Sequence, residues 1–181
     1  DLSVLIGLTN LTLDKHLQEL ITSEREILTE IITYIREVDC RKMFLSFGYP
    51  SLFEYLTRRM GYSNASAQRR IDAARLTRNV PEVLTHLESG EINLSQISIM
   101  ALAIRQIGKN SHTVDTEIKE HLVNSIAGKD LKQTEIIISK TLNLQIHEGT
   151  KARHQKDESV RFELTLTKEQ WKKLNQTRDI L

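Results

Sequence analysis

The chain has 181 residues, a net charge of +1, 27% charged side chains, seven glycines and two prolines, a composition that suits a mostly helical protein with one good core and part of a second. No run approaches the roughly 20 apolar residues needed to span a bilayer, and the opening DLSVLIGLTN is too short for a signal peptide and lacks its basic start, so a cytoplasmic location is expected. The lone Cys40 excludes an internal disulfide and has no sequence-near partner for a metal.

In chain order, Leu13 to about Val38 is the longest predicted helix. Leu17, Leu20, Ile21, Leu28, Ile31, Ile32, Ile35 and Val38 share one face, with core burial as their first role and a coiled-coil dimer seam as the alternative. Ser51 to Arg78 then holds two short helical patterns hinged on Gly61, with six arginines against two acids. Ser51 with Glu54 reads as a capping box, and Phe53, Leu56 and Met60 fall at helical spacing. Gly61 supplies the corner, because glycine takes positive φ without a Cβ clash. After it, Tyr62 packs under the turn, Ser63 caps, and Ala67, Ile71 and Ala74 form a narrow inward stripe. Asn64, Gln68, Arg69, Asp72 and Arg75 are left outside, with Arg58, Arg59, Arg70 and Arg78 around the rim. This is the outline of a helix-turn-helix that could lie on DNA. Asn64, Gln68 and Arg69 have the donor and acceptor geometry for base edges, and Arg58, Arg59, Arg70, Arg75 and Arg78 suit phosphates. Two positions depart from the usual pattern. Thr57 stands where a small residue is common, and Arg70 stands at a late apolar position. The alternative is an ordinary helical hairpin whose arginines pair with acids on neighbouring helices.

Charge is distributed unevenly. Residues 1–40 hold three basic and eight acidic side chains (net −5), residues 41–80 eight and two (net +6), and residues 81–181 fourteen of each. A phosphate backbone senses such a local patch, screened beyond about 10 Å, more than the overall sum. An acidic first helix packed beside the basic block would neutralise it.

Further along, Asn79 and Glu82 frame a capping box around Pro81 and open a helix closed by Gly90. Asn93 and Gln96 start the next, apolar through Ile97, Met100, Ala101 and Ile104 and ending at Gly108. Thr116–Ala127 and Leu131–Leu144 are two more, with Gly128 between them and Asp130 and Gln133 as a capping pair. Residues 147–159 lack an apolar anchor and read as a polar linker. Val160, Phe162, Leu164 and Leu166 then alternate with polar residues as a half-buried strand does, and Thr167 with Gln170 caps a helix beginning near Trp171. A lone strand must pair with another copy or with residues outside this chain. With no initiator methionine at one end and a helix running out at the other, a fragment of a longer protein is expected. The expected fold is mostly α: a multi-helix domain over residues 1–146 containing the helix-turn-helix-like pair, the linker, and a short strand-helix segment over 160–181.

The run GYPSLFEYLTRRMGYSNASAQRRIDAARLTRNVPEVLTHLESGEINLSQIS, preceded by an acidic leucine-rich helix and followed by a linker and RFELTLTKEQWKKL, resembles the helical N-terminal region of many bacterial proteins that end in an HNH nuclease domain. The resemblance covers nearly the whole chain and implies a DNA-related role, with the chemistry and its divalent metal ion in a C-terminal nuclease domain that this chain does not contain. Pro81, Glu82 and Val83, with Gly90, Glu91 and Ile92, are also similar to the helix-turn-helix cores of chromosome-partition clamp proteins.

The chain itself is not expected to be an enzyme or to hold a cofactor. His16, His86, His112, His121, His147 and His154 are scattered with no ββα hairpin around them, and only His112 and His121 could approach each other. No Gly-rich phosphate loop, paired metal-ligand spacing or nucleophile-base set is visible. The function expected is a DNA-binding module that positions a C-terminal HNH-type nuclease. One alternative is a DNA-binding transcription or partition regulator acting as a homodimer through residues 160–166 or the first helix. Another is a protein-interaction module without nucleic acid.

Overall fold

The computed structural model describes residues 5–109, 113–144, 151–155, 157–163 and 165–178, so His112, His147 and Leu164 lie outside the described residues. The chain divides into two compact units, Asp1–Asn143 and Leu144–Leu181. The first is all helical.

Its opening helix α1, Asn10–Cys40, starts where the Thr9 side chain accepts from the Thr12 amide. A left-handed Lys42 (φ 51°) turns the chain into one helical turn, α2, Met43–Ser46. Helix α3, Leu52–Glu54, runs straight into a π-helical turn, Tyr55–Arg59. Beyond the Gly61 corner (φ 74°) come α4, Asn64–Leu76, α5, Glu82–Ser89, α6, Leu94–Lys109, α7, Thr116–Ile126, and α8, Leu131–Thr141. Helix α4 is the centre of the unit, packed between α1 on one side and α6 on the other, while α5 leans on α1 and α8 on α6. Ala67, Ala73 and Ala74 are fully buried. Such short side chains let neighbouring helices approach closely.

The expected face of α1 is only partly in this core. Ile32 and Ile35 are buried, whereas Leu17, Leu20 and Ile21 remain exposed, because α4 and α5 reach only the C-terminal half of a helix 31 residues long. Asn79 does not cap α5. Its Oδ1 accepts from Lys119 Nζ, and Pro81 occupies the N-cap with no side-chain bond. The Asn93–Gln96 and Asp130–Gln133 pairs do form reciprocal capping boxes.

Arg25 connects α1 to the end of α5, donating from Nη1 to the Ser89 carbonyl at 3.1 Å. Its guanidinium lies against Gly90 (φ 79°), where a Cβ would meet it. A cation on the last carbonyls of a helix also answers the negative end of the helix dipole. Gly90→Ala adds left-handed strain and displaces Arg25, and is expected to cost about 2 kcal/mol, read as a lowered urea midpoint. Next to this turn, His86 Nδ1 bonds Glu91 Oε2 at 2.7 Å, and that hydrogen bond holds the Glu91 carboxyl below the usual carboxylate range.

The second unit contains strands β1, Lys151–His154, and β2, Val160–Glu163, followed by helix α9, Lys168–Arg178. The strands pair antiparallel, Lys151 opposite Glu163 and His154 opposite Val160. So β2 pairs with residues 151–154, in the stretch expected to be linker. Asp157 shapes the turn by accepting from the Ser159 amide and hydroxyl. Val160 and Phe162 are exposed rather than half-buried. Helix α9 begins three residues ahead of Trp171, where Thr167 and Gln170 exchange capping bonds.

Candidate nucleic-acid interface

The corner at Gly61 is built locally. Ser51 Oγ accepts from the Glu54 amide at 3.1 Å, starting α3. Thr57 Oγ1 then donates to the Phe53 carbonyl at 2.9 Å, and the chain widens so that the Met60 amide reaches Tyr55 O and the Tyr62 amide reaches Leu56 O. A threonine hydroxyl competing for backbone carbonyls is a physical route to such a widened turn. It buries Tyr55 and Leu56 and leaves Arg58 and Arg59 exposed. Ser63 starts α4 by accepting from the Ser66 amide.

The nine arginine, asparagine, glutamine and aspartate side chains expected on the outer surface meet different fates. Asn64 is exposed at the first position of α4. Arg69 is exposed as well and has no hydrogen bond or ion pair among the described residues. Arg58 is 71% exposed and bridges Glu54 one turn back at 3.0 Å, a surface pair that costs little to break. Arg59 lies 4.3 Å over the Phe47 ring, a cation–π contact that keeps its charge available.

The rest are engaged. Arg70, at the late apolar position, is half-buried, with Cζ 4.4 Å from the Tyr62 ring centroid, Nη1 bonded to Ser66, and Nε buried without a partner among the described residues. Its flat guanidinium fills the space a hydrophobic side chain would take. Arg75 and Arg78 both reach Asp39 of α1 at 3.0 Å, and Asp39 is only 10% exposed. One carboxylate against two guanidiniums leaves a single net positive charge there. The acidic first helix thus does neutralise part of the basic block.

Asp72 was expected outside and is buried, its carboxylate facing α6. It accepts from Gln68 Nε2 at 2.8 Å, Ser98 Oγ at 2.8 Å and Arg105 Nη1 at 2.6 Å. The i,i+4 bond turns Gln68 along its own helix, so this residue meets a base only by giving up that contact. Sequence reasoning missed Ser98, Arg105 and Asp39 as members of this surface. The strongly acidic balance of residues 1–40 is the one signal that pointed toward Asp39. What the corner can do chemically is bind a polyanion over a small area through Asn64, Arg69, Arg58 and Arg59. Among the described residues no group of three or more His, Cys, Asp or Glu could hold a metal ion, and no helix is long and apolar enough to cross a membrane. No family model, curated protein or solved structure matches this chain.

Proposed function

We propose that residues 51–78 form a DNA-contacting corner and that the helical unit presents an HNH-type nuclease domain to its substrate. The observation that carries the reading is Arg69, exposed and unpaired among the described residues, on the N-terminal half of α4. That is the half of a recognition helix that meets base edges. Asn64 shares it, and Arg58 and Arg59 stand exposed on the turn before it, placed for phosphates. Gln68, Arg70, Arg75 and Arg78 contribute less, since each already holds a partner. The nuclease half of the proposal is supported by the family resemblance of residues 48–98 and 161–174, which puts the divalent ion and the bond cleavage in a separate C-terminal domain of a bacterial protein.

The test is fluorescence anisotropy on labelled duplex DNA across a salt series. Arg69→Ala is expected to weaken binding severalfold and to flatten the log–log salt slope by about one unit if it meets a phosphate, or to cost roughly 1–3 kcal/mol on a preferred site only if it meets a base. Arg78→Ala, already held by Asp39, changes binding little. Equal, negligible retention of the wild type and both variants retires the reading. The Asp39 clamp favours the second one, a protein-interaction module, and that outcome leaves it standing.

A further inference from the structure

We infer that α1 is a self-recognition surface on which a second copy of this chain lies antiparallel. The inference is independent of nucleic-acid binding.

Leu13, Leu17, Leu20, Ile27, Ile31, Tyr34 and Val38 recur at alternating spacings of four and three, interrupted once by Glu24. This is the seam of a two-helix coil. Most of this seam is not spent on the core: Leu20 is 67% exposed, Ile27 57% and Tyr34 67%, while Ile31 and Val38 are half-buried. The buried positions of the same helix, Ile32 and Ile35, lie on the adjacent face. The C-terminal half of the seam also forms one wall of an apolar groove of about 510 Å³ whose other side is Met43, Met60 and Tyr62. A stripe broken only at Glu24 therefore runs from an unsupported helix half into a shaped groove.

Size argues for an occupant. From Leu13 to Val38 the stripe is about 37 Å long at about 1.5 Å per residue and about 10 Å wide, comparable to the largest apolar patch usual on a monomer, about 300–600 Å². Two such faces pressed together bury roughly 740 Å², the size of a weak, reversible association that concentration controls.

The pattern argues for a second copy. Run antiparallel, the seam matches itself: Leu13 meets Val38 of the second copy, Leu17 meets Tyr34, Leu20 meets Ile31, and Glu24 falls beside Ile27 near the two-fold axis. Each contact occurs twice, as a closed isologous interface requires. Charge favours the same direction. The flanks bring His16 beside Glu37 and Ser23 beside Glu30, with no like-charged pair among them; a parallel in-register pair stacks Glu24 directly on Glu24 in one layer of the seam, whereas the antiparallel pair sets the two one layer apart and so weakens their repulsion.

Sedimentation velocity on the full chain at micromolar concentrations is expected to show a concentration-dependent dimer. Leu17→Glu with Leu20→Glu should return it to a monomer that still unfolds cooperatively and loses at most the circular dichroism of the first turns of α1, because both side chains are solvent-exposed in the single chain. In a Cys40→Ser background, a mixture of Leu17→Cys and Tyr34→Cys chains is expected to form a mixed disulfide dimer, while neither variant cross-links alone. A wild type that stays monomeric overturns the inference. So does association that survives the paired glutamates, or a disulfide in Leu17→Cys alone.

Discussion

Replacing Gln96 with leucine is expected to destabilise the helical unit by about 3 kcal/mol, the largest loss from any single hydrogen-bonding side chain here. Gln96 is 1% exposed and ties three segments together. The two hydrogens of its Nε2 are shared among Ile126 O at 3.1 Å, Lys129 O at 2.9 Å and Thr134 Oγ1 at 3.0 Å, and its Oε1 accepts from the Asn93 amide at 2.9 Å. Leucine has nearly the same volume, so packing is kept and only the polar partners change. Two backbone carbonyls at the turn between α7 and α8 lose their donor, and a buried acceptor left unpaired costs about 1–3 kcal/mol. Urea unfolding followed by circular dichroism should show a lower midpoint with unchanged slope, and thermal unfolding a drop of about 10 °C. A loss below about 1 kcal/mol would show that water reaches those carbonyls.

The second large effect is expected at the α4–α6 seam. Arg105→Met removes the cation from Asp72, whose carboxylate is wholly buried while Arg105 is 49% exposed. Breaking one side of a buried pair typically costs 3–5 kcal/mol, and partial solvent access to Arg105 brings the expected loss here to about 2–3 kcal/mol. Asp72→Asn in the same chain should restore part of it, since a neutral amide needs no counter-charge and its oxygen still accepts from Gln68 or Ser98. The two substitutions are therefore expected to be non-additive by about 1 kcal/mol or more in a double-mutant cycle. Additive losses would mean that the pair is screened by solvent and does not hold α4 against α6.

Both effects lie beyond what local pattern reveals. Ser63, Gly61, Gly90, Asn93 with Gln96, and Asp130 with Gln133 were legible as helix ends because the group each one satisfies lies within a few residues of it. The partners of Asp72 and Asp39 that decide their fate lie 26 to 39 positions away. Helical spacing put Asp72 on the outer face, and the arrival of α6 over the C-terminal half of α4 put it inside. At the candidate interface the same contrast holds. The corner, the exposed Asn64 and the exposed Arg69 follow from turn chemistry and period, whereas the capture of Arg75 and Arg78 depends on α1 packing alongside α4. Strand β1 escaped because Lys151, Arg153 and His154 leave it a single apolar residue. Its strand character comes from the ladder with β2 rather than from its own composition.

The unsupported half of α1 has a thermodynamic consequence. From Leu13 to Glu24 every residue is solvent-exposed, and an isolated helix shorter than about 12–15 residues is marginal in water. In a lone chain those turns are expected to fray from the N-terminal end without disturbing the remainder, a sub-global opening below the cost of complete unfolding. Whatever covers them is linked to their coil–helix equilibrium and draws it toward order by mass action. The backbone of α1 is thereby a gauge of occupancy, loose when bare and rigid when clasped.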